Sequence, residues 1–200
     1  SDLVQAGKVR YLGASNFNGW QLMKALAISD FKSWARFDCL QPQYSLAVRS
    51  TEWELLPLCR EEGLGVIPWS PLAGGWLTGK YKPDEKPESS TRLGAHLETE
   101  AEWQAFRENQ ENQRRWRIVE EVNQVALGRG KSPAQVALAW VLAQPGITAP
   151  ILGARNLTQL EDNLGSLGWT LSGEEMERLN RVSDPGLPYP YDFIRNSLRA

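Results

Sequence analysis

Cysteine is scarce in this 200-residue chain: Cys39 and Cys59 are the only two. Two thiols exclude a disulfide-built scaffold, and neither stands at a metal-ligand spacing, so both are expected reduced, buried and inert. Charge of either sign is also not in excess, 22 basic against 24 acidic side chains leaving −2. That balance offers nothing to neutralise a nucleic-acid backbone, and no nucleic-acid partner is expected. No apolar run approaches the roughly 20 residues that span a bilayer. Residues 1–10 lack a signal-peptide pattern. These absences predict a cytoplasmic protein with no membrane insertion. The chain opens on Ser1 rather than Met, and an upstream segment is expected to be missing.

What is present is ordinary globular composition, 42% hydrophobic and 23% charged, which argues against disorder. Short β-branched runs alternate with a 3.6-residue apolar period. Strands are predicted over 9–14 (VRYLGA), 37–41 (FDCLQ), 66–67 running into Pro68-Trp69-Ser70, and 147–153. Between them, one helix opens at Asn18 with Gln21 three residues on, its apolar face formed by Leu22, Met23, Leu26 and Ala27. Another is expected from a Thr51-x-x-Glu54 capping box, distorted by Pro57 and directing Leu55, Leu58 and Cys59 to the core. Later helices are predicted over 114–127 with Gly128 beyond the end, from Ser132-Pro133-Ala134-Gln135, and from Asn156 with Gln159.

Alternating strands and helices imply parallel strands joined by crossovers. The first three units begin 28 residues apart, at 9, 37 and 65, whereas the fourth begins 82 residues after the third, at 147. Residues 74–113 are therefore read as a polar loop inserted on the carboxyl side of the third strand, the side on which barrels and doubly wound sheets bind ligands. Within it, 98–117 is expected to be a solvated lid or helix face, and the lone histidine, His96, to be exposed. Four strands are too few to close a (β/α)8 barrel, which needs about 250 residues.

Three segments with polar residues follow the strands: Gly13-Ala14-Ser15-Asn16-Phe17, Gln41-Pro42-Gln43-Tyr44, and Pro68-Trp69-Ser70-Pro71-Leu72-Ala73-Gly74-Gly75. With Trp76-Leu77-Thr78-Gly79-Lys80-Tyr81 and Ile151-Leu152-Gly153-Ala154-Arg155-Asn156, they resemble the aldo-keto reductase superfamily in order and spacing. The tryptophan ahead of Ser70-Pro71-Leu72 is most similar to the branch holding the potassium-channel β subunits and related reductases. The resemblance covers nearly the whole chain.

It implies an α/β fold, a (β/α)8 TIM barrel of aldo-keto reductase type of which 1–200 supplies only the last four βα units as one N-terminally truncated domain. It also implies NADP(H) bound in extended form. Ser15, Asn16 and Gln41 match the positions that hydrogen-bond the nicotinamide carboxamide, where amide side chains supply both donor and acceptor. Trp69 matches the aromatic under the nicotinamide ring. Ser70, Pro71 and Leu72 would line the pyrophosphate path, with Lys80 and Arg92 meeting its charge. Gly153 and Arg155 match the 2′-phosphate position at a helix start, and Gln159 and Asn163 would approach the adenosine. Asp162 stands where relatives often carry Glu.

The family's catalytic Asp, Tyr, Lys and His lie on strands preceding the Ser-Asn strand, and none of them is matched here. No residue of this chain is therefore assigned a catalytic role, and no metal site is expected. The function implied is NADPH-dependent reduction of an aldehyde or ketone, with a small-molecule carbonyl as partner. Two alternatives stand beside it: a regulatory NADP(H)-binding subunit with a channel-like partner or a homo-oligomer, and an inactive fragment. Without the resemblance, Trp69 reads as a core residue, Ser15-Asn16 as a turn, Gln41 as an ordinary backbone contact and Arg155 as a solvated charge. Asn156-Leu157-Thr158 fits a glycosylation pattern but lacks a secretory context. The tail, 184–200, is expected to wrap the barrel's exterior or its substrate face.

Overall fold

A computed structural model describes residues 1–197, the side chains of Gln110, Arg195 and Asn196 aside. After a short helix α1 (Asp2–Gln5), the sheet begins with β1 (Gly13–Ser15), followed by helix α2 (Gly19–Lys32) and β2 (Cys39–Gln41). Helix α3 (Leu55–Glu61) leads to β3 (Gly65–Val66). The strands are parallel and adjacent in chain order, with Ser15 opposite Gln41 and Leu40 opposite Val66.

The fourth expected strand, 147–153, is reduced to a single parallel bridge between Ile147 and Val66. Its amide at Thr148 donates to the Val66 carbonyl at 2.8 Å. The next two rungs would need N–H groups at positions 68 and 150, and both are proline. A ladder cannot continue without those donors. Ile151 N instead reaches the Pro68 carbonyl at 2.8 Å, and the Thr148 hydroxyl accepts from Val66 N at 3.1 Å. The first strand is likewise shorter than 9–14, because the Leu12 amide is taken by the Asp38 carboxylate at 2.9 Å.

Helix α2 starts as its sequence dictates, the Asn18 amide donating to Gln21 Oε1 at 2.9 Å. Leu22 and Leu26 are buried against the sheet, whereas Met23 and Ala27 are exposed and do not join the core face. The Thr51 capping box does not form. Residues Ser50–Glu52 make a 3-10 turn, and the Thr51 hydroxyl donates to the Gln43 carbonyl at 2.7 Å. Pro57 falls in the first turn of α3, where its missing N–H had no intrahelical acceptor, so it leaves the helix undistorted.

The inserted segment is not a polar loop throughout. It contains α4 (Glu100–Glu108), started by a Thr99–Glu102 capping box, and the beginning of α5 (Gln110–Arg129). Trp103 and Phe106 of α4 stack at 5.7 Å, and Phe106 and Trp116 pack on Trp76 at 5.5 and 4.7 Å. Part of the predicted solvated lid is thus anchored by an aromatic cluster. Helix α5 ends at Gly130 in the left-handed region (φ 59°), two residues beyond the expected Gly128.

Helix α6 (Pro133–Leu142) begins with the Ser132–Gln135 box and is buried on nearly every side, Trp140 included. Helix α7 (Leu157–Leu164) has its expected Asn156 cap. Helix α8 (Gly173–Ser183), which the strand–helix pattern did not single out, packs along α5. The tail carries helix α9 (Tyr191–Ser197), and its last three residues lie outside the described ones. No helix among the described residues is long and apolar enough to cross a membrane.

Candidate functional site

The carboxyl ends of the parallel strands carry the polar side chains singled out in the sequence. Ser15 ends β1 with Asn16 directly after it, Gln41 ends β2, and Trp69 follows β3. Trp69 is fixed at three points. Its amide donates to the Pro42 carbonyl at 2.9 Å, its carbonyl accepts from Tyr44 N at 3.3 Å, and its indole N–H donates to Asn16 Oδ1 at 3.0 Å. The Ser15 hydroxyl donates to the Gln41 carbonyl at 2.9 Å, which ties the first two strand ends together. Asn16 and Ser70 hold φ of 55° and 57°. Left-handed backbone at non-glycine positions is uncommon and clusters where side chains are aimed for function.

Beneath this edge the segment after β2 is held by a buried network. Tyr44 is fully buried, and its hydroxyl donates to Glu52 Oε1 at 2.6 Å. Arg49 forks onto both oxygens of the same carboxylate at 2.7 and 2.9 Å and reaches the Asn180 carbonyl and Ser183 Oγ, each at 2.9 Å. Burial and the Glu52 charge push the Tyr44 phenol far up, so it remains a donor. The quoted Gln-Pro-Gln-Tyr segment contained Tyr44, but nothing in it distinguished a structural anchor from a ligand contact.

Next to Trp69 lies an open cavity of about 390 Å³. Trp69, Ser70, Pro71, Leu72, Lys80, Arg92, Gly153, Arg155 and Gln159 line it, nine of the thirteen residues named from sequence. Ser15, Asn16 and Gln41 stand at the adjoining strand ends and are not part of its wall. Asn163 is buried and does not line it; its neighbour Asp162 is spent on α6, accepting from Ser132 Oγ at 3.0 Å and from Gln135 Nε2 at 3.1 Å. Thr78, Ile151 and Leu152 line the cavity without having been singled out as site residues.

The cavity's electrostatics are one-sided: Lys80, Arg92 and Arg155 line it, and no Asp or Glu does. Two glycines with positive φ make room for the first two. A Cβ on Gly75 (φ 99°) would fall 2.8 Å from Lys80 Nζ, and one on Gly74 (φ 68°) would touch the Arg92 stem at 3.9 Å. Gln159 Oε1 accepts from Arg155 N at 2.9 Å, so the oxygen end of the Gln159 amide is already engaged. A cationic groove beside an aromatic shelf suits an elongated anion that carries a flat ring.

Cys59 is buried and its thiol is pushed up to about 11 by desolvation, which leaves it inert at neutral pH. His96 is exposed and does not line the cavity. Among the described residues no cluster of His, Cys, Asp and Glu could hold a metal ion.

A parallel α/β chain with its polar residues at the carboxyl strand ends belongs to the group of folds that bind ligands on that face. Comparison with known proteins narrows this. The profile of the Aldo/keto reductase family matches residues 1–184, and the chain belongs to that family of oxidoreductases. It is 39% identical over 179 residues to the uncharacterized oxidoreductase YrpG of Bacillus subtilis, covering 90% of this chain and 50% of that protein. It is 30% identical over 190 residues to the versiconal hemiacetal acetate reductase of Aspergillus parasiticus, with 95% and 53% covered. A probable aldo-keto reductase of Glycine max is 34% identical over 177 residues, with 88% and 47% covered. The chain spans about half the length of the curated relatives it matches.

Proposed function

We infer that this chain is the cofactor half of an NADP(H)-dependent carbonyl reductase, the last four βα units of a (β/α)8 barrel. The observation that carries the reading is the groove itself: Trp69 and Arg155 line one cavity, and every charged residue in its wall is a cation. When bound, the dinucleotide supplies the hydride that reduces an aldehyde or ketone carbon. The chain's own residues bind and orient. Trp69 offers a face held by three hydrogen bonds, Lys80 and Arg92 meet the pyrophosphate charge, and Arg155 meets the 2′-phosphate.

The half-barrel reading rests on two features. Residues Gly13, Cys39, Gly65 and Thr148 adjoin one another across the strands, glycine alternating with a larger side chain. A Cβ on Gly13 would lie 2.8 Å from Cys39 Sγ, and one on Gly65 would lie 3.1 Å from Thr148 Oγ1. Side chains supplied by alternate strands are how a closed barrel fills its interior. Both flanking helices also keep apolar faces in solvent: Trp20, Met23, Ile28 and Phe31 on α2, and Leu157, Leu160 and Leu164 on α7. Exposed apolar faces of this size are where a preceding half would pack.

The proton donor belongs to that preceding half, so the 200-residue chain mixed with NADPH and a reactive aldehyde is expected to show no turnover above the uncatalysed rate. Robust turnover would refute the assignment of this chain as the cofactor half.

A further inference from the structure

We propose that a second cavity, sharing a wall with the cofactor groove, is part of the carbonyl substrate's pocket, and that Arg115 there selects substrates carrying a carboxylate. The proposal rests on the NADP(H) reading above and deepens it, because it names the class of aldehyde or ketone.

The second cavity has a volume of about 340 Å³. Trp69, Ser70, Gly74 and Arg92 line both cavities, so the segment after β3 is their common wall. A compound in the second cavity therefore lies against the same tryptophan as a ring in the first. Ala47, Val48 and Trp76 give the second cavity an apolar lining, suited to a flat or short carbon skeleton. Among the described residues its charged lining is Arg92 and Arg115, with no Asp or Glu. A neutral carbonyl compound leaves that positive charge unmatched, and a carboxylate on the same skeleton matches it.

The two arginines divide between the ligands. Arg92 lines both cavities, whereas Arg115 lines the second and not the first. A dinucleotide in the first cavity thus accounts for Arg92 and leaves Arg115 without a role. Arg115 is held in place without being used up. Its guanidinium lies over the Trp76 ring at 5.6 Å, and Nη1 donates to Asn112 Oδ1 at 3.3 Å. Its ion pair with Glu111, one turn back on α5, is loose, Nε standing 3.5 Å from Oε1. That oxygen is shared with Arg114, whose Nη1 lies 3.3 Å away, so one carboxylate faces two arginines. Arg114 is otherwise committed to backbone, donating to the Ala47 and Ser183 carbonyls at 3.3 and 2.8 Å. Arg115 Nη2 donates to no group among the described residues and keeps its N–H donors for an incoming anion. A planar guanidinium stacked on an indole is preorganised for a carboxylate. Arg115 is therefore a specificity-determining residue.

The test is equilibrium binding to the 200-residue chain saturated with NADPH, read by calorimetry. Two probes of one shape are compared: 4-carboxybenzyl alcohol and its carboxamide, which lacks the charge. Both are product alcohols, so neither takes a hydride from NADPH nor forms an imine with lysine. Wild type should bind the acid about tenfold or more tighter than the amide, the scale of a charge-assisted hydrogen bond. Arg115→Gln should abolish that preference while NADPH affinity hardly moves. Arg115→Lys should restore part of it, as a point charge without the planar fork. Glu111→Gln removes the competing carboxylate and should tighten the acid severalfold with little change for the amide. This second variant leaves Arg115 and its packing on Trp76 in place.

If NADPH binds, equal affinity of wild type for the two probes, or no binding of the acid, would overturn the proposal alone. An acid affinity unmoved by Arg115→Gln and by Glu111→Gln would do the same. Equal losses of acid and NADPH in Arg115→Gln would assign Arg115 to the cofactor and so overturn it. No saturable binding of NADPH by wild type would overturn the cofactor reading and this proposal with it.

Discussion

On the NADP(H) reading proposed above, cofactor choice turns on Arg155. It lines the cavity at the start of α7, with its amide tied to Gln159 and its guanidinium in solvent reach. A 2′-phosphate there would meet a charge that binds phosphate in a planar, bidentate manner. Replacing Arg155 with Ala should weaken NADPH about tenfold to a hundredfold, the range for one charge-assisted hydrogen bond. NADH has no group at that site, and its affinity should hardly move. Equal losses for the two would remove Arg155 from the 2′-phosphate role. The measurement is a pair of titrations on wild type and Arg155→Ala.

Among the elements, α5 and α8 are joined by a pair whose behaviour with pH is determined by its sign. Arg129 donates to both oxygens of Glu175 at 2.6 Å, and Ser172 adds two further contacts. Together they lower the Glu175 carboxyl from its usual 4.5 to about 2. A carboxylate whose folded pKa is depressed contributes stability above its unfolded pKa and loses it as pH falls through the folded one. The contribution should therefore be full above about pH 4.5 and gone near pH 2. At neutral pH, Glu175→Gln should melt about 1–3 °C below wild type, the scale of a solvent-touching ion pair in a domain of this size. The two proteins should converge as the pH approaches 2, and a constant gap from pH 7 to 2 would contradict this origin.

How much of each element was legible followed from how local its determinants were. The caps at Asn18, Ser132 and Asn156 and the order of the parallel strands were readable because a cap or an apolar run acts within a few residues. The fourth strand was misjudged because a ladder depends on donors from both partners. The two prolines that interrupt it, Pro68 and Pro150, stand 82 positions apart in sequence. Helix α4 is not legible as a packed element in its own sequence, because Trp103 and Phe106 matter only through Trp76, Trp116 and each other. At the site, nine of thirteen residues line one cavity because the quoted motifs are contiguous. The Asn16–Trp69 bond escaped notice, since its partners are 53 residues apart.

On the scale of the whole molecule, the half-barrel proposed above has a consequence for association. Phe31 of α2 is 83% exposed and Leu157 of α7 is 67% exposed. Unpaired edges and apolar helix faces drive association. Dilute chain should sediment as dimers or larger species, and Phe31→Lys with Leu157→Lys should shift it toward monomer without loss of helicity. A monodisperse monomer with a sharp thermal transition would count against the half-barrel. The central claim, that this chain carries the NADP(H) groove, is tested most directly by calorimetric titration of the 200-residue chain with NADPH and with NADH. Saturable binding of NADPH, at least tenfold tighter than that of NADH, is the result expected from a cationic groove ending at Arg155. No saturable binding of NADPH, or equal affinity for both dinucleotides, would contradict it.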